Sequence, residues 1–259
     1  MSEEAGGIVT SERDGILEIS IDRPDRRNAL THAMYRDLTA ALQRAESEDA
    51  IRVVLVTGTR DCFTAGNDMT DFLQNPPTGD DSPVMHFLAA LPAMAKPLVA
   101  AVNGPAVGVG TTMLLHCDLV YLGASARLQM PFVNLGLCPE AGSSLLLPLL
   151  MGHHRAAELL MLGETLDAQR ALDFGMANAV FGEEDYLEKA REQALRLAAQ
   201  PPASVRLTKA FLKQGHRDEL SARMNEEGKV FMERLSSPEA REAMQAFMEK
   251  RKPDFSRFS

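Results

Sequence analysis

At 259 residues and 45% hydrophobic, the chain fits one large domain with a sizeable core, or a domain with an appendage. Its formal net charge of −9 argues against general nucleic-acid binding, and an anionic ligand would need a local basic patch. Aromatics at 5% and the lack of Trp leave no stacking platform for single strands.

Residues 7–22 alternate apolar and polar through Ile8, Ile16, Leu17, Ile19 and Ile21, with Asp14-Gly15 as the hairpin turn. Arg23-Pro24-Asp25 stops the strand, because proline has no N–H for the ladder. Thr31 predicts an N-cap for a helix over 32–47, whose stripe is Leu30, Met34, Leu38 and Leu42. Val53 to Val56 reads as a short buried strand ended by Gly58. The Pro- and Asp-rich segment 74–83 predicts a mobile loop. A helix to about Met94 follows, then a strand from Leu98 to Val102, a helix from near Val109 and a strand from Asp118 to Leu122. Beyond about residue 145 the spacing is helical in 155–162, 186–198, 203–213 and 219–235. Ser237-Pro238-Glu239 opens a last helix, with Pro at N1 behind a Ser cap and Met244, Phe247 and Met248 on one face. The expectation is an α/β front and an all-helical rear.

No apolar stretch reaches the roughly 18 residues of a membrane span. Met1-Ser2-Glu3-Glu4 lacks a secretory pattern, and Ser256-Arg257-Phe258-Ser259 is not a peroxisomal address. Cys62, Cys117 and Cys138 show no paired spacing, which points to a reducing cytoplasm.

Two glycine-bearing stretches each follow a strand and can turn a backbone N–H toward a ligand: Cys62 to Asp68, and Asn103 to Gly110. Gly108-Val109-Gly110 is a poor dinucleotide fingerprint, since its third glycine position is Met113. His116-Cys117-Asp118 reads as a helix end, and His153-His154 lacks metal-ligand spacing. Ser143-Ser144 has no nucleophile-elbow context and reads as a helix cap. Glu140 follows Pro139 between apolar segments. It fits either a solvated turn or a carboxylate projecting into a pocket, where desolvation would raise its pKa and the next helix N-terminus would oppose the rise. Arg26 and Arg27 form the basic patch of the N-terminal half, and their charges alone read as a solvated turn.

Taken together these motifs resemble the crotonase (enoyl-CoA hydratase/isomerase) superfamily over nearly the whole chain. Ile21 to Leu30 is similar to its N-terminal signature, Phe63 to Met69 to its first oxyanion loop and Asn103 to Gly110 to its second. Ala240 to Met244 and Phe247 to Arg251 are similar to its closing helix. The resemblance implies an α/β fold, a spiral of ββα turns over 1–200 with a helical trimerisation region over 201–259. It implies acyl-CoA thioesters as ligands, no metal, and no separate cofactor, since coenzyme A is part of the substrate. It also implies a homotrimer or dimer of trimers. The oxyanion donors would be the N–H groups of Asn67 and Val109. Arg26 and Arg27 would hold the CoA phosphates and adenine, with Phe247 and Lys250 lent by a neighbouring subunit. Ala29, Ala65, Gly66, Asp68, Met69 and Gly108 are further expected substrate contacts.

The departures from the pattern choose the reaction. Where the family's hydratases carry two glutamates, this chain has Thr112 and Phe132, and neither can take or give the α proton. Glu140 falls where the monofunctional peroxisomal-type Δ3,Δ2-enoyl-CoA isomerases carry their single catalytic glutamate. Phe132 would then line the acyl pocket and help exclude water. The resemblance therefore implies an enoyl-CoA isomerase. A hydratase or lyase with an atypical site, and a non-catalytic acyl-CoA-binding paralogue, are the alternatives.

Overall fold

The computed structural model describes residues 6–59, 61–75, 79 and 81–258. Strands β1 (Gly7–Arg13) and β2 (Ile16–Asp22) form the expected hairpin around Asp14-Gly15, both residues at positive φ. Helix α1 (His32–Ser47) begins where Thr31 caps it, its side chain accepting from the Met34 N–H. Then come β3 (Val53–Thr57), α2 (Met69–Gln74), α3 (Pro83–Ala93) and β4 (Leu98–Val102). Part of the loop expected over 74–83 lies outside the described residues. Within its bounds, α2 runs through Gln74 and Ser82 caps α3.

The chain continues through β5 (Pro105–Val107), α4 (Val109–Thr112), β6 (Leu119–Gly123), β7 (Arg127–Gln129), α5 (Ser143–Met151) and α6 (His153–Leu162). Next are β8 (Thr165–Asp167), α7 (Ala168–Asp173), β9 (Ala179–Phe181) and α8 (Tyr186–Ala198). Helices α9 (Pro202–Gln214), α10 (Arg217–Leu235) and α11 (Pro238–Met248) close it. The rear half is thus not all helical. Strands β8 and β9 are three residues each, too short to show alternation, and the same brevity hides β5 and β7 from sequence pattern.

One sheet runs β1-β2-β3-β4-β6-β9, parallel from β2 onward. A second runs β5-β7-β8. The chain alternates between them: β4 leads to β5, β6 to β7, and β8 to β9. Isolated parallel bridges Thr64↔Ala106 and Leu30↔Asn67 carry the second layer back toward the N-terminus. This is the spiral that brings the two glycine-bearing loops side by side.

Both faces of the central strands β3 and β4 are buried, so these two read as continuous apolar runs. Leu17, Ile19, Val54, Val56, Leu98 and Ala100 face the main core. Their alternates Ile16, Val53, Leu55, Val99 and Ala101 pack beneath Tyr186, Ala190 and Ala194 of α8.

Asn28 joins the N-terminal turn to the first loop. It is fully buried at φ 57, and its Nδ2 donates to Cys62 O at 2.7 Å, with Thr59 Oγ1 and Phe63 O also in reach. Its Oδ1 accepts from the Arg23 N–H at 2.7 Å. Asn28→Ala would leave these groups without partners in a dry site. Urea unfolding is expected to show a loss on the order of 3 kcal/mol.

Candidate active site

Two strands of irregular backbone set the geometry. Phe63 N–H and Thr64 N–H both donate to Pro105 O at 3.1 Å, and Val107 N–H returns a bond to Thr64 O at 3.0 Å. Leu30 then pairs with both neighbours of Asn67: its N–H donates to Gly66 O and its carbonyl accepts from Asp68 N–H, each at 2.8 Å. In a parallel bridge of this kind the intervening residue turns its own N–H away from the partner strand. Gly66 makes the approach possible. At φ 87 it brings the loop against β5, where a Cβ would stand 2.9 Å from Val107 O.

On the second loop, Gly108 takes φ 58 and ψ −118, a conformation glycine adopts without strain. A Cβ there would meet nothing within 4 Å, so the backbone borders open space. Thr111 and Thr112 N–H groups return to Gly108 O at 2.9 and 3.0 Å. Val109, at the first helical position, has no such partner. Among the described residues, neither Asn67 N–H nor Val109 N–H has an acceptor within the protein.

Beside the first loop lies a cavity of about 70 Å³. Phe72, Val84, Met85, Leu88, Met224, Phe231 and Met232 make its apolar lining, and Asn67, Glu140 and Asn225 are its polar members. Glu140 is only 7% exposed, and it is the one ionisable group among the described residues that line the cavity. Thr112 Oγ1 donates to Glu140 Oε1 at 3.0 Å. The backbone then turns through Ala141 at φ 58 and Gly142 at φ 72, and Ser143 returns both its N–H and its hydroxyl to Glu140 O. His116 Nε2 stands 2.8 Å from Ala141 O. A carbonyl only accepts, so Nε2 carries the proton. Burial pushes the His116 imidazole down to about 4, which keeps the ring neutral.

Burial pushes the Glu140 carboxyl from its ordinary 4.5 up to about 7. The Thr112 hydrogen bond works against the rise, and the negative charge of Glu227 adds to it. Desolvation, one of the two effects weighed from the sequence, is the largest cause of the shift. Because the folded-state value lies above the unfolded one, the unfolded chain gives up its proton first. Stability therefore falls as pH rises from 4.5 to about 7, with a cost of about 3 kcal/mol fully present above that. Glu140→Gln is expected to be more stable than wild type near pH 8 and indistinguishable from it near pH 4, as read by urea unfolding at both values.

The expected ligand contacts fall in several places. Ala65, Gly66, Asn67, Asp68, Met69 and Gly108 lie on the two loops. Asp68 is occupied structurally: it caps α2 through the Thr70 and Asp71 N–H groups and accepts from Arg23 Nη1 at 2.7 Å. Arg23 also donates to Ala29 O at 3.0 Å. Arg26 and Arg27 are exposed, and the Arg27 carbonyl anchors Ala65 N–H at 3.0 Å. Phe247 is exposed near the end of α11 with Lys250 just beyond it, and neither lines their own chain's cavity. Phe132 is not among the described residues that line this cavity. It stands before the tight turn Val133–Leu135, buried one layer behind the cavity and edge-on to Phe231, and Phe231 is the ring that faces the space.

Sequence pattern did not single out Tyr35 or Glu227. The Tyr35 hydroxyl donates to Asn67 Oδ1 at 2.5 Å and holds that side chain in place. Glu227, on α10, accepts from Gly142 N–H and from Ser144. Both contacts are long-range. The nearest sequence signal was Gly228, a helix-interior glycine that also lines the cavity.

Comparison with known proteins adds independent findings. The family described as enoyl-CoA hydratase/isomerase matches residues 11–257. "Enoyl-CoA delta isomerase 2" of Rattus norvegicus is 34% identical over 258 residues, a span of 97% of this chain and 66% of the rat protein, just under two thirds of its length. "2,3-Dehydroadipyl-CoA hydratase" of Escherichia coli (strain K12) is 32% identical over 251 residues, 96% of this chain and 98% of that protein. Among solved structures, Pseudomonas aeruginosa OdaA superposes with a TM-score of 0.91 at 51% identity, covering 95% of this chain and 99% of that one.

Proposed function

The chain belongs to the enoyl-CoA hydratase/isomerase family, and on that premise we propose that it is an enoyl-CoA isomerase that converts 3-enoyl to trans-2-enoyl thioesters. The observation that carries the reading is the solitary acid: Glu140 is buried, raised to about 7, and accompanied by no second ionisable group among the described cavity-lining residues. Hydration needs a water to be activated as well as a proton to be delivered. Moving a double bond needs one base. The Glu140 carboxylate takes the C2 proton, and the electron pair flows onto the thioester oxygen. The enolate is held by the Asn67 and Val109 N–H groups, preorganised donors of the kind that stabilise developing charge. Glu140 then returns the same proton at C4, so no net proton is lost or gained. Thr112, where a hydratase would carry a carboxylate, supports the reading because its hydroxyl donates to Glu140.

The ligand under this reading is an acyl-CoA thioester, with coenzyme A as part of the substrate. Self-association fits the large apolar side chains exposed on the surface, among them Phe211, Leu212, Met161 and Met248. A trimer or dimer of trimers is the assembly we propose. A cytoplasmic location fits the three free cysteines. No described helix is long and apolar enough to cross a membrane.

The direct test supplies a 3-enoyl-CoA and crotonyl-CoA in parallel. The first is expected to give the conjugated 2-enoyl product, and the second little hydration. Hydration as fast as isomerisation would favour a hydratase. Acyl-CoA binding with no α-proton exchange in deuterium oxide would favour a non-catalytic binder.

A further inference from the structure

The turn that carries Glu140 needs two successive left-handed residues, one of which, Ala141 at φ 58, has a Cβ. Such a conformation persists only where its surroundings hold it. Its own segment supplies part of the hold, through Ser143 and Glu140 O. The rest comes from afar. The Glu227 carboxylate reaches down from α10 with Oε2 accepting the Gly142 N–H at 2.6 Å. Its Oε1 takes the Ser144 N–H at 3.0 Å and the Ser144 hydroxyl at 2.5 Å. The amides of such a turn and of the helix start behind it form a concavity suited to an anion, and here a side chain 85 residues downstream fills it.

We propose that Glu227 is a positioning residue for the base: its carboxylate locks the Ala141-Gly142 turn and so fixes where the Glu140 carboxylate stands in the cavity. The proposal rests on the reading of Glu140 as the base and deepens it. The clamp also has an electrostatic side. The start of α5 would otherwise favour the ionised form of the preceding carboxylate. A negative charge seated on those amides cancels that influence and repels Glu140 directly, which keeps the base's pKa high. Other groups face the pair. Arg223, one turn away on α10, reaches Ser144 Oγ at 3.2 Å. From the core, Tyr35, Cys138 and His116 surround Glu140 or its turn, and all three are uncharged at neutral pH. Lys209 and Lys213 stand behind His116, both paired with Asp118.

The experiment compares kcat and KM across pH for wild type, Glu140→Gln, Glu227→Gln and Glu227→Asp. Glu227→Gln removes the charge and one acceptor at constant size. Its ascending limb of kcat/KM is expected to move to lower pH by about half a unit or more, with KM changed less than about twofold. Glu227→Asp keeps the charge but is one methylene short of both amides. Its limb should stay near that of wild type while kcat falls at least about fivefold. An unshifted limb in the first variant overturns the proposal. If that variant does not fold, an undiminished kcat in the second overturns it. The control separates the two layers of argument. An active Glu140→Gln would discard Glu140 as the base, whereas an inactive one beside an unaltered Glu227→Gln would discard the positioning role alone.

Discussion

Glu140→Ala is expected to slow the isomerisation of a 3-enoyl-CoA by roughly 10²-fold or more, the scale of a lost general base. The acyl-CoA should still bind with nearly its wild-type affinity, because the apolar part of the cavity lining and both loop amides are untouched. Deuterium exchange at the α carbon should disappear together with turnover, since both need C2 deprotonation. In the wild type, kcat/KM should climb as pH passes through about 7, because the carboxylate must be ionised to act and burial holds it protonated below that. Turnover unchanged in the alanine variant would falsify the assignment of the base.

The second large effect is at a residue with no side chain. Gly108→Ala is expected to cost about 3 kcal/mol of barrier, near 10²-fold in kcat, if Val109 N–H is an oxyanion donor. The added methyl meets no atom, so packing is not the cause. The cause is the backbone: φ 58 with ψ −118 is strained for alanine, and relaxing it swings the next N–H off target. The loss should appear in kcat more than in KM, since the donor acts on charge that develops during reaction. Gly7→Ala, also in open space but without a positive φ, is the matched control and should be silent. A Gly108→Ala enzyme with full kcat would remove Val109 from the oxyanion hole.

Much of this arrangement is legible in the chain itself. The alternation of β2, the Thr31 cap and the apolar runs at 53–56 and 98–102 are local signals, and local signals survive folding because short-range geometry enforces them. Both loops were visible because glycines and a preceding strand announce them. What stayed hidden is what depends on distance along the chain. The three-residue strands β5, β7, β8 and β9 exist because neighbours pair with them, not because their residues prefer extension. Glu140 as a buried acid could be suspected from its apolar flanks, but the balance between desolvation and the following helix could be judged only with Thr112, Glu227 and the cavity in place. Tyr35 and Glu227 sit in ordinary helical surroundings and show their roles only through partners far away in sequence. Phe132, expected from the family resemblance to line the acyl pocket, packs edge-on against Phe231, which lines the cavity.

Helices α9 and α10 have a consequence for how such a chain can diverge. Lys213 donates to the His116 carbonyl at 2.8 Å, Lys209 donates to Lys96 O at 2.7 Å, and Glu227 accepts from the amides just beyond Glu140. The last quarter of the polypeptide is therefore no detachable accessory. Under the proposed mechanism it and the Glu140 turn are bound to drift in concert, and a hybrid grafting one homologue's tail onto another's front is expected to inherit mismatched braces at that turn.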